Sequence, residues 1–249
     1  MARLSWTQTG SRYFEAGIDR GVLFVGSDPG IPWIGLVNFN QQQSGGEPTP
    51  RYLDGVKISN RTSQEEFEGT LEAYHHPIEF ERCDGTYRVD NGLRITQQRR
   101  REFHLVFRTK IGNDVTGLNK GYKLHLLYNL KAEPSDRGYK TLVEQTEPLL
   151  FSWRITSRGQ AIPGYRPAAH FIVDSRDVPA ELLAQLEDQL YGTEDVDSTL
   201  PTPGELLFLF DSYLDEVYDA GTPLTPVFQI FDAGDPDEPI VQTIDGGEL

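Results

Sequence analysis

Residues 66–74 read Glu66-Phe67-Glu68-Gly69-Thr70-Leu71-Glu72-Ala73-Tyr74. Phe67, Leu71 and Ala73, with Gly69 among them, alternate with Glu66, Glu68, Thr70 and Glu72. Side chains along a strand point to opposite faces in turn. The stretch therefore predicts a strand with one buried face and three carboxylates on the other. One-sided alternation belongs to antiparallel sheets, because parallel strands are buried on both faces and read as continuous apolar runs.

The same pattern extends outward along the first 175 or so residues. Residues 103–110 set Phe103, Leu105 and Phe107 against His104, Val106, Arg108 and Lys110. Residues 122–131 alternate too. Residues 149–157 place Leu149, Phe151, Trp153 and Ile155 on one face. Apolar runs at 21–25 and 33–39 are flanked by Pro and Gly, and a short strand is expected at 169–174. Between the early strands, residues 40–50 are rich in Gln, Gly and Pro and predict a long exposed loop or hairpin tip. Residues 52–59 read as the return strand.

The pattern changes at Asp177. A helix is expected there, capped by Asp177 or a neighbour and carrying Pro179 in its first turn. Leu182, Leu183, Leu186 and Leu190 form its apolar stripe, and Gly192 stops it. A second helix is expected from Thr202-Pro203, with Leu206, Leu207, Phe210, Tyr213 and Leu214. Beyond Asp219 the chain is rich in Pro, Asp and Gly, with apolar islands at 227–231 and 240–244. Such a segment suits an arm that orders on a neighbour. The expected fold is mainly β: two packed antiparallel sheets, a sandwich or barrel of about seven to nine strands, with one or two flanking helices. The expected divisions are a β body over 1–176, a helical acidic segment over 177–214 and an acidic arm over 215–249.

Charge divides the chain as sharply as pattern does. From Asp177 to Leu249 there are 18 carboxylates and no Lys, Arg or His. The first 176 residues hold all 23 Lys and Arg with 20 Asp and Glu, so a near-neutral body joins a strongly acidic end. Affinity for nucleic acid rests on clustered Lys and Arg, so binding through the acidic part is disfavoured. That part repels DNA or docks on a basic patch of a neighbour. Cys83 is the single cysteine, so no disulfide within the chain is possible, which suits a reducing compartment. The first residues lack an apolar core, and the longest strongly apolar run, 206–210, is far shorter than a bilayer requires. Neither a signal peptide nor a membrane partner is expected.

Candidate chemistry is sparse. His75 and His76 lie near Glu72, Glu79 and Cys83, but adjacent histidines on a strand face opposite ways and fit no zinc spacing. Asp232, Asp235, Asp237 and Glu238 fail the calcium-loop pattern in either register. Arg99, Arg100 and Arg101 form the one basic run and read as a solvated loop or a socket for a neighbour's acidic surface. Asn60-Arg61-Thr62 fits the glycosylation triplet, which has no meaning without secretion. His104, His125 and His170 read as structural. No phosphate loop, nucleophile elbow or zinc-protease motif occurs. No enzyme, cofactor or metal is indicated.

Several blocks taken in order carry a resemblance. They are RYFEAGIDRGVLF (12–24), IPWIGLV (31–37), GEPTP (46–50), YLDGVK (52–57), SQEEFEGTLEAY (63–74), CDG (83–85), RTKIGND (108–114), GYKLHLLY (121–128), VDSR (173–176) and LYGTE (190–194). Together, from about residue 3 to about residue 210, they resemble the major tail protein, or tail tube protein, of long non-contractile-tailed phages infecting actinobacteria. The resemblance implies two packed antiparallel sheets with a flanking helix. It also implies hexameric rings stacked into a tube, with the inner sheets joined edge to edge. Double-stranded DNA would pass through the lumen without sequence recognition. The implied partners are further copies of the chain and the tape measure, tail terminator and distal tail proteins. The implied place is the tail of a virion, after synthesis in the host cytoplasm.

Under that reading Glu66, Glu68 and Glu72 are the candidates for the lumen, since carboxylates repel the duplex. Arg108 and Lys110 could neutralise them if their strand is adjacent. Gln41, Gln42, Gln43, Ser44, Gly45 and Gly46 are the candidates for inter-ring contact. Phe228, Ile230, Ile240 and Ile244 are the candidate anchors of the C-terminal arm. The alternatives are a single-ring tail-completion or connector protein, and a β-sandwich that binds a host surface. Exposed aromatics at loop tips would favour the latter, yet Trp6, Trp33 and Trp153 do not cluster in sequence.

Overall fold

The computed structural model describes residues 6, 8–44, 48–53, 56–62, 66–90, 92–135, 137–139, 141 and 148–219. Their strands are β1 (Tyr13–Phe24), β2 (Ile31–Trp33), β3 (Leu36–Ser44), β4 (Pro48–Leu53), β5 (Val56–Thr62), β6 (Glu66–Ala73), β7 (Tyr87–Asp90), β8 (Leu93–Ile95), β9 (Phe103–Asn113), β10 (Gly117–Ala132), β11 (Phe151–Ser157), β12 (Gln160–Ile162), β13 (Tyr165–Ala168) and β14 (His170–Asp174). A 3-10 turn spans Ile78–Arg82. Helices α1 (Ala180–Tyr191) and α2 (Pro203–Asp219) follow. The fold is mainly β, with antiparallel ladders and two helices. The chain divides into compact units Met1–Phe210 and Asp211–Leu249.

The β10 strand organises the body. One edge pairs with β9 along its length. Its other edge changes partner: residues 123–127 pair with β14, and residues 130–132 pair with β11. The change falls at a bulge between Leu127 and Leu130, where Asn129 has φ of 52°. A bulge bends its strand and sharpens the twist. One eight-stranded sheet thus becomes two packed layers, β2-β1-β9-β10-β14 and β11-β6-β3.

The main core lies between the layers. Leu23, Phe103, Leu105, Phe107 and Leu127 of the first meet Leu71, Ala73, Trp153 and Ile155 of the second. The Phe39 and Phe107 rings touch across the gap with centroids 5.4 Å apart. Phe39 also covers Gly69, where an added Cβ would sit 3.0 Å from the ring. Trp33 and Trp153, distant in sequence, meet at 6.0 Å around Phe80. These two tryptophans are core residues, which removes them as loop-tip ligands.

A second core covers the opposite face of the first layer. Val22, Phe24, Val106, Leu124, Leu126 and Tyr128 pack against Leu186, Leu190 and Leu206 of the helices. The alternation grouped Val106 with polar residues. It is fully buried because this layer is covered on both sides. The α1 helix begins one residue after Pro179, and no side chain caps it, so Asp177 does not act as its cap. Gly192 ends it at φ 77°, as a C-terminal glycine should. The α2 helix starts with a reciprocal capping box: Glu205 N donates to Thr202 Oγ1 (3.3 Å) and Thr202 N donates to Glu205 Oε2 (2.8 Å).

Candidate surfaces for assembly and for the lumen

Glu66, Glu68 and Glu72 lie on β6, in the middle of the second layer. Gly69, Leu71 and Ala73 are buried, Phe67 is partly buried, Glu66 is exposed, and Glu68, Thr70 and Glu72 are half-buried. The register sets Thr70 between Asn40 and Arg154, and Glu72 between Asn38 and Ser152. The outer face of this layer is therefore a polar plane of Asn, Gln, Ser, Thr and Glu side chains.

Charges on that plane pair locally. Arg154 donates to Glu68 at 2.7 Å and lies 3.6 Å from Glu133, while Asn38 donates to Glu72 at 3.2 Å. Lys131 lies opposite Thr156, which lies opposite Glu68. Four carboxylates, Glu66, Glu68, Glu72 and Glu133, thus share the plane with the cations Arg154 and Lys131. Arg108 and Lys110 are not the neutralising groups. Their strand lies in the other layer, where Arg108 makes two bonds to Asp19 (2.7 and 2.8 Å) and Lys110 lies 3.4 Å from the same carboxylate. Arg154 was visible in sequence as an outward position between Trp153 and Ile155. Its strand neighbour was not.

Residues 40–44 are strand, not loop. They pair with β6 from Asn40 opposite Thr70 to Ser44 opposite Glu66. The β4 and β5 strands form their own ladder, from Pro48 opposite Thr62 to Leu53 opposite Val56. The stretch read as a loop or hairpin tip plus return strand holds a two-stranded ribbon of β4 and β5. Pro48 and Pro50 suggested a loop, but a two-stranded ribbon has two outer edges where a missing N–H breaks no ladder bond. Gly45 and Gly46 lie outside the described residues. So do Phe228, Ile230, Ile240 and Ile244.

Several buried polar groups in the body are paired within the fold, whereas Gln160 Oε1, Glu187 Oε1 and Tyr191 Oη have no hydrogen-bond partner among the described residues. Asp84 is 5% exposed. It accepts from Trp153 Nε1 at 3.1 Å, pairs with Arg137, and has Arg100 at 3.7 Å. Burial pushes the adjacent Cys83 thiol up to about 12, so it stays protonated and unreactive. His75 and His76 sit past the end of β6 rather than on a strand, and their rings lie parallel at 6.1 Å. His125 Nδ1 lies 3.0 Å from His170 Nε2, and His125 Nε2 lies 2.9 Å from Thr109 Oγ1. Thr109 and Lys123 both donate to Glu15 (2.5 and 2.6 Å). Phe107 stacks on His125, and Phe67 meets His170 edge-on.

A cleft of about 420 Å³ lies among Phe24, Asp28, His104, Tyr128, Gln160 and Thr202. Tyr128 and His104 on its wall are committed, whereas Gln160 Oε1 is buried without a partner among the described residues. Tyr128 Oη donates to the Pro201 carbonyl (2.9 Å), and Asn129 N–H donates to His104 Nδ1 (3.2 Å). Burial holds the His104 pKa down, so the ring is neutral near pH 7.

No family model matches the chain, and no curated protein does. Among solved structures, it is similar to a chain of the sheath-tube complex of an extracellular contractile injection system, PVC, in its extended state. The two share 13% identity over 62% of this chain and 88% of that one, with a TM-score of 0.29. A superposition that loose establishes neither family nor activity.

Proposed function

We propose that this chain is a structural virion protein, a tail tube subunit whose copies close into hexameric rings and stack into a conduit for double-stranded DNA. One observation carries the reading. Among the described residues the second layer ends in β3, which has a ladder partner on one side only, and its outer face carries Glu66, Glu68 and Glu72. Copies joined along that free edge would extend the carboxylate plane around a bore. Ring closure removes the exposed edge that would otherwise invite aggregation. A conduit must not hold its cargo, and carboxylates leave phosphates hydrated and mobile where Lys and Arg would bind them.

The ribbon is assigned the stacking role that the resemblance gave to Gln41–Gly46, with paired strands meeting the next ring. The ordered blocks that resemble tail tube proteins support the same assignment. On this reading the partners are further copies, the proteins at the two ends of the tube and the tape measure within it, and no cofactor takes part. Negative-stain microscopy of the purified protein tests it. Long hollow tubes are expected. Single rings would point to a connector, and monomers at all concentrations would overturn the reading.

A further inference from the structure

The β7–β8 hairpin is an unusual piece of surface. Tyr87, Val89, Leu93 and Ile95 are between 47 and 57% exposed. Tyr87 lies opposite Ile95, and Leu93 shares their face by the period of two, with Val89 at the adjoining bulge. An isolated two-stranded hairpin is marginal by itself, and an exposed apolar face marks a contact site.

Beside it lies a depression of about 170 Å³ lined by Arg82, Thr86, Tyr87, Gln98, Arg99 and Arg101. The three arginines are exposed, and among the described residues no ion pair joins them to a carboxylate. The basic run is therefore split by its fold. Arg100 turns inward, donating to the carbonyls of Ala132 (3.1 Å) and Glu133 (2.9 Å), while Arg99 and Arg101 join Arg82 outside. The surface combines an apolar plate and a cationic rim.

The same molecule carries a complementary knob. Residues 193–197 are all exposed and include Glu194, Asp195 and Asp197 around Val196, itself 62% exposed. Hydrogen bonds shape the loop in advance. Thr193 N donates to the Val196 carbonyl (2.9 Å) and Val196 N to Thr193 Oγ1 (3.2 Å). At its base Ser198 exchanges bonds with Gly30, and Thr199 N donates to the Gln189 carbonyl (2.7 Å). A preshaped loop loses little entropy on docking.

We infer that the arginine-rimmed hairpin of one copy receives the Glu194–Asp197 loop of a second copy. The carboxylates meet Arg82, Arg99 and Arg101, and Val196 meets the apolar plate. Two different surfaces of identical chains make a heterologous contact, which propagates into a ring or a filament. The contact requires only a second copy, so it stands or falls separately from the conduit reading.

The test uses full-length chains in sedimentation velocity at low salt. Wild type is expected to associate, and less so at high salt, where screening is short-ranged. R99E/R101E alone and E194K/D195K/D197K alone are each expected to associate at least ~10-fold more weakly, as like charges meet. Mixed one to one, these variants offer an intact loop to an intact socket, and their reversed loop and reversed socket are again opposite in charge, so the mixture is expected to associate more strongly than either variant alone. A mixture no more associated than its components overturns the proposal. So does association of E194K/D195K/D197K at the wild-type level while R99E/R101E fails, because the socket would then hold another acidic surface. Circular dichroism of each variant separates a lost contact from a lost fold.

Discussion

The His125–His170 pair shows how single side chains set the acid limit of this fold. Burial, reinforced by the neighbouring His125, pushes the His170 pKa down to about 4. Burial also lowers His125, although Glu15 beside it works the other way. An unfolded chain lets both rings protonate near their ordinary value of about 6.5. The unfolded state therefore gains protons first as pH falls, and stability is lost between about 6.5 and about 4. The carboxylates of Asp19, held down by Arg108, and Asp174, held down by Arg176, act in the same direction at lower pH. Urea unfolding of wild type and His170→Gln at a series of pH values checks this. The variant should show a shallower acid limb, by at most about 1.4 kcal/mol per pH unit for the lost proton site. An unchanged slope would mean that His170 is already charged in the folded protein. Sequence marked both histidines as structural, but their meeting depends on β10 pairing with β14, which no local pattern encodes.

Elements were legible where one face was polar. The strands around Leu71, Phe107, Leu126 and Trp153 announce themselves by alternation, and both helices by apolar spacing behind a proline, the first also by Gly192 at its end. The first half of β1 was missed because two bulges, at Gly17 and near Arg20, break its period. The ribbon was legible only in part, as a hairpin tip with a return strand, because its first strand has the composition of a loop. Its register now changes the deletion that tests stacking. Removing Gln41–Ser44 would cut the ladder with β6 and damage the body. Removing residues 48–62 leaves the Leu36–Ser44 and Glu66–Ala73 pairing whole. That shortened chain should keep the thermal midpoint of wild type within about 5 °C, since a two-stranded ribbon adds little stability by itself. In micrographs it should give rings without tubes. Normal tubes would remove the ribbon from inter-ring contact.

At the scale of the molecule, the two layers differ in what covers them. Helix α1 and the first turns of α2, up to Phe210, pack on the outer face of the first layer, and the outer face of the second layer is polar. That asymmetry would give a ring of such copies a distinct inside and outside. It also separates the carboxylates of β6 from those of α1, so their roles can be tested apart. Reversing Glu66 and Glu72 to Lys leaves the Glu68–Arg154 bridge in place and turns the plane cationic in every copy. If the plane lines the bore, E66K/E72K tubes should retain linear duplex DNA in a filter-binding assay at low salt, where wild-type tubes do not. Retention should fall steeply with salt, since each neutralised phosphate adds about −0.9 to the slope of log K against log salt. Reversing Glu181 and Asp188 on α1 serves as the matched control for an outer face. Retention by the control and not by E66K/E72K would place β6 outside and the helices toward the DNA.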